Sequence, residues 1–149
     1  MKYFFLLLIL FSFSCEFEEV NVSPRFVMID TPSEYGGEPF LYKSSDEDVY
    51  LSWLEYEGDT TFIHQFSKLK DEKWGPVREI ARGSNWFVNW ADFPSITTYN
   101  QDSSLLAAHR LVMSDDGTYD YDIYVSLSSN GGISWDEPFP KLYPETCPK

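Results

Sequence analysis

Positive charge is scarce in this chain. Lys and Arg number 11 against 24 Asp and Glu, which leaves a formal net charge of −13. The few cations form no local cluster that could neutralise a phosphate backbone, so nucleic acid is excluded as a partner. The acidity reads as solubility. Cysteine is almost missing too, with Cys15 and Cys147 the whole supply. The two histidines, His64 and His109, have no Cys or His at ligand spacing, so neither a metal centre nor any other cofactor is expected. Long apolar runs are also lacking. The longest, residues 3–13, is too short to cross a bilayer comfortably.

What that run does suit is the apolar stretch of a signal peptide behind one positive charge, Lys2. Small Ser12 and Ser14 precede Cys15 by three residues and by one. The segment resembles a bacterial lipoprotein signal in which Cys15 becomes the lipidated N-terminus, although Ser12 stands where such signals usually carry Leu. Glu16, Glu18 and Glu19 resemble the acidic export tags of surface lipoproteins. The resemblance implies an exported protein held at the cell envelope or outer-membrane surface by a lipid anchor. Ordinary secretion and an uncleaved anchor are the alternatives. Acylation of Cys15 would leave Cys147 alone, and a Cys15–Cys147 disulfide is the competing arrangement.

Aromatics are abundant, with 5 Trp, 10 Tyr and 12 Phe, and they come with 9 Pro and 8 Gly. That mixture favours short strands and turns, and 149 residues suffice for one modest domain. Residues 1–15 are the signal, and residues 16–37 read as a tether with an irregular first strand at 25–30. A first unit, 38–81, holds four strand-like runs at 41–43, 49–54, 60–67 and 74–81, separated by turns at 44–48, 58–59 and 70–73. A connecting loop covers 82–92. The second unit, 93–140, repeats the plan with strands at 93–99, 104–113 and 119–127 before a final turn, and 141–149 is a tail. Landmarks align between the units: Pro39 with Pro94, Ser67 with Ser128, Trp74 with Trp135 and Pro76 with Pro138. The expected fold is all-β, two antiparallel four-stranded units repeated in the manner of propeller blades.

The stretch Ser128-x-Asn130-x-Gly132-x-x-Trp135 resembles the Asp-box repeat of the sialidase superfamily, with Asn in the Asp position. The resemblance implies a hairpin between the third and fourth strands of a blade. There the Asn side chain holds the turn backbone, Gly takes a positive φ and Trp folds beneath the loop. Ser67 to Trp74 has the same seven-residue spacing and looks like a worn copy, with Leu69 and Asp71 in place of the Asp and Gly. The order of "NWFVNWADFPSI", "LLAAHRL" and "YDYDIYVSLSSNGGISW" resembles bacterial exo-α-sialidase-like proteins with such repeats, over residues 37–138. Those relatives continue into further blades, whereas "KLYPETCPK" follows here. An incomplete member, or a fragment of a longer gene product, with about two blades is therefore expected. Two blades cannot close a ring, and their open edges invite self-association.

Sialidases grip a substrate carboxylate with three arginines, use a Tyr–Glu pair as nucleophile and an Asp as acid/base. This chain has four arginines, Arg25, Arg78, Arg82 and Arg110, and no trio or Tyr–Glu pair can be assigned from sequence. The best catalytic candidate is Asp92, just before the innermost strand of the second unit. Glu38 holds the matching place in the first unit, and Trp86, Asn89 and Trp90 cluster nearby as a sugar-stacking rim. A structural reading stands beside this one: Asp92 caps its loop, Trp86 and Trp90 seal neighbouring units, and His109 is a half-buried packing residue. The acidic turns at 46–48 and 115–116 lack the alternating ligands of a calcium loop and read as solvated. Two functions follow. One is an incomplete hydrolase of the exo-α-sialidase lineage acting on glycans. The other is a non-catalytic surface lipoprotein that binds glycans, glycoconjugates or protein partners.

Overall fold

The computed structural model describes residues 36–114, 117 and 119–140, together with 23, 24, 26 and 28. The signal, Cys15, most of the tether and its strand, Cys147 and the tail lie outside the described residues. Nine strands form two antiparallel sheets, with no helix among the described residues. The first sheet contains β1 (Gly37–Lys43), β2 (Val49–Glu57), β3 (Thr61–Lys70), β4 (Lys73–Trp74) and β5 (Arg78–Gly83). Its order is β1-β2-β3-β4, with β5 also on β3. The second contains β6 (Ser95–Tyr99), β7 (Asp102–Met113), β8 (Tyr121–Ser128) and β9 (Phe139–Pro140), paired in that order.

The central strands form where β-branched and aromatic residues are densest, and their period of two decides what is buried. Tyr50, Ser52, Leu54 and Tyr56 oppose Lys68, Phe66, His64 and Phe62 on one face. That face meets the second sheet over a core of Tyr50, Phe66, Ile80, Ile96, Leu106 and Ala108. Each large apolar side chain so buried contributes roughly 1.5–3 kcal/mol. Polar contacts fix how the sheets sit against each other. Tyr42 shares a 2.8 Å hydrogen bond with Thr98, Tyr50 donates to the Ser103 carbonyl at 2.8 Å, and Arg78 donates to that of Gly131 at 2.7 Å. Residues 52–55 of β2 are buried in succession, so both of its faces are covered, unlike a sheet with one wet side.

One element departs from expectation. The strand expected over 74–81 is two pieces, β4 and β5, separated at residues 75–77. Pro76 has no N–H to give to a ladder, so the chain leaves β3 after Trp74. It returns further along the same strand, where the register shifts between His64 and Gln65. The loop 82–92 is not free of the sheet either. Trp86 bridges to Val112, and the Phe87 N–H donates to the Leu111 carbonyl at 3.0 Å, so this segment extends the β6 edge along β7.

Candidate functional site

Asn89 organises the loop ahead of β6. Its side-chain oxygen accepts the N–H groups of Ala91 and Asp92, each at 2.8 Å, and its own N–H donates to the Asp92 carbonyl oxygen at 2.9 Å. This is the local bonding that makes Asn a turn former. The Asn89 amide also donates to Asp92 Oδ2 at 3.1 Å, so Asp92 does engage its own loop. Its second carboxylate oxygen has no partner among the described residues. Asp92 therefore enters the site fixed by one oxygen and open at the other.

A cleft of ≈ 340 Å³ opens beside it, with Phe40, Phe93 and Tyr121 as aromatic walls and Asp92, Ser95 and His109 as polar groups. Ser95 and His109 face each other across β6 and β7, and their Oγ and Nδ1 atoms are 3.1 Å apart. Half-burial lowers the His109 pKa, so the imidazole is neutral at neutral pH and both donates and accepts. Phe40 and Phe93 approach at 6.4 Å between ring centres, which makes the cleft a feature of both sheets.

The remaining rim candidates do not converge on this cleft. Trp90 stands in solvent, 89% exposed, two residues from Asp92. Trp86 is only 8% exposed. It stacks on Phe62 at 5.8 Å and 8°, and its other neighbour is the Arg110 guanidinium at 5.6 Å, so it fills the seam between sheets. Glu38 does not line the cleft; its carboxylate accepts a 2.8 Å hydrogen bond from Tyr56. Burial, helped by Glu38, pushes the Tyr56 pKa up to about 12, which keeps the phenol protonated. Sequence reasoning missed this Tyr–Glu pair. It depends on an irregular β1–β2 register between Gly37 and Phe40 and on a positive φ of 49° at Glu38, which no local pattern announces.

None of the three described arginines lines the cleft. Arg78 holds Gly131, Arg82 pairs with Glu57 and Glu79, and Arg110 lies between Trp86 and Tyr124 with a hydrogen bond to Ser126. Arg25 lies outside the described residues. No group of three His, Cys, Asp or Glu that could hold a metal occurs among the described residues, nor does a helix long and apolar enough to cross a membrane.

The turn at 128–135 is tightly bonded. Ser128 Oγ accepts the Gly132 N–H at 2.9 Å, and Asn130 Oδ1 accepts those of Ile133 and Ser134 at 3.1 and 3.0 Å. Gly131 and Gly132 take φ values of 68° and 77°. Trp135 packs edge-on against Phe66 of the other sheet at 6.1 Å, and its buried indole N–H has no partner among the described residues. The shorter turn after Ser67 differs: Ser67 Oγ donates to the Gly75 carbonyl at 2.9 Å, past the turn itself. Compared with known protein families, curated proteins and solved structures, the chain matches none.

Proposed function

We propose that this chain is a glycan-binding protein whose recognition site is the cleft beside Asp92. The observation that carries the reading is the composition of that cleft: three aromatic walls, a carboxylate with one oxygen open, a hydroxyl and a neutral imidazole. Aromatic faces suit the apolar face of a pyranose, and a carboxylate accepts from paired sugar hydroxyls. With no arginine among the described lining residues, the site favours neutral sugars over acidic ones. We read the two sheets as two blades of a sialidase-like propeller, an ancestry supported by the repeated strand order, the side-by-side placing of β1 and β6 and the Ser128–Trp135 turn. The Cys15 signal adds a lipid anchor at the bacterial cell envelope. The test is a glycan array probed with the full chain and with Asp92→Asn. Retention of neutral glycans by the parent alone supports the reading, and no retention by either overturns it.

A second reading, hydrolysis by an incomplete exo-α-sialidase-like site, is favoured by one observation, the Tyr56–Glu38 hydrogen bond. The raised pKa of Tyr56 opposes it, because a nucleophilic phenol needs its proton removed easily. Turnover of a fluorogenic sialoside by the chain, lost in Tyr56→Phe, would establish this reading. Its absence leaves binding.

A further inference from the structure

A second cavity carries charge of the sign that the chain otherwise lacks. It measures ≈ 170 Å³ and is lined by Lys68, Lys70 and Arg78 over Phe66 and Pro76, with Gly131 of the opposite sheet closing it. The strand period explains why these cations converge. Phe66, Lys68 and Lys70 alternate along one face of β3, and β5 sets Arg78 directly opposite Phe66. Of the other described cations, Lys43 pairs with Glu47 and Arg82 with Glu57 and Glu79, while Arg110 lies between two aromatic rings. Here one carboxylate, Asp48, serves Lys68 at 2.6 Å. Arg78 gives a hydrogen bond to a neutral carbonyl, and Lys70 pairs with no carboxylate among the described residues.

We infer that this cavity is a binding site for a small organic carboxylate. Two cations left without counter-charge in one cavity repel each other, and an entering anion relieves that repulsion. The lysine stems, Pro76 and the edge of Phe66 offer apolar contact to the body that carries the anion. The size admits only a compact group, and the net charge of −13 repels a polyanion. The site is separate from the Asp92 cleft and does not rest on the glycan reading.

The test is a titration of the isotope-labelled full chain with sodium benzoate at constant ionic strength, followed by amide chemical shifts, with sodium sulfate in parallel. Saturable shifts at Gly75 and Gly131 are expected with benzoate. Lys70→Ala should weaken binding roughly tenfold, the loss of one charge-assisted contact. Lys43→Ala removes the same charge from the opposite face of the sheet, two strands away, and should bind like the parent. Both lysines are exposed, so unchanged melting temperatures for the two variants exclude a folding artefact. The inference is overturned if the shifts rise without saturation or if Lys70→Ala binds as the parent does. Equal saturable shifts with sulfate also overturn it, because they would identify a site for any anion.

Discussion

The two sheets close their third strands with turns of equal Ser-to-Trp spacing but different construction. After Ser128 the chain uses two glycines and an Asn, and side-chain oxygens accept four backbone N–H groups within the turn. After Ser67 it uses a two-residue hairpin, Asp71-Glu72, with both residues at positive φ (49° and 61°). In both places a Trp follows whose buried indole N–H has no partner among the described residues. The shared feature is the Trp plug, and the difference lies in how the backbone is held above it. The longer turn also reaches across the seam, where Arg78 holds the Gly131 carbonyl and Phe66 meets Trp135. A turn that joins sheets needs side-chain bonding, whereas one that only ends a hairpin can rely on backbone strain tolerated locally.

Substitutions at the two glycines should break this comparison most visibly. A Cβ at Gly132 would collide with Phe66 Cζ and lie 2.7 Å from its Cε1, at a φ of 77°. Gly132→Ala should therefore cost roughly 3 kcal/mol or more in urea unfolding, from overpacking added to backbone strain. Gly131 also has positive φ but nothing within 4 Å of its Cβ position, so Gly131→Ala should cost only about 1 kcal/mol. Equal losses would show that Phe66 does not clamp the turn.

Acid attacks the same seam from the first sheet. His64 is 1% exposed, and burial, then His109 and Arg110, lower its pKa to about 3 from 6.5. The unfolded chain thus takes the proton first. Stability is full above pH 6.5 and should fall by about 1 kcal/mol per pH unit as the pH drops towards 3. Urea midpoints at pH 7 and pH 5 measure this, and His64→Leu should flatten the difference.

The serines sharpen the comparison at smaller scale. Ser128→Ala orphans the Gly132 N–H and frees Asn130, and should cost about 2 kcal/mol, while Ser67→Ala loses one bond to Gly75 and should cost about 1 kcal/mol. The smallest effect has the opposite sign. Asp71→Gly relieves a left-handed residue in the short hairpin and should raise the stability to urea by roughly 0.5 kcal/mol.

The strands were legible because β-formers and turn residues alternate locally, and Asn130, Gly132 and Trp135 are residue types whose turn chemistry is also local. The break at Pro76 was half visible: the proline was plain, but its effect on pairing depends on β3. What stayed hidden was set by pairing across strands and sheets. Tyr56 meets Glu38 only through a register irregularity, Trp86 sinks into the seam only because Phe62 lies on the facing sheet, and Arg78 joins Lys68 and Lys70 only through the β3–β5 register. Asp92 was legible as a loop carboxylate. The cleft around it was not, because Phe40 comes from the other sheet.

The most direct measurement is amide chemical-shift mapping of the full chain with a neutral oligosaccharide selected on the array. Asp92→Asn serves as the paired variant, since Asn89 still holds the loop through its own oxygen. The expected result is a set of shifts confined to Asp92, Phe93, Ser95, His109 and Tyr121 that disappears in the variant. Shifts that cluster elsewhere, or that persist unchanged in Asp92→Asn, would contradict the assignment of the cleft.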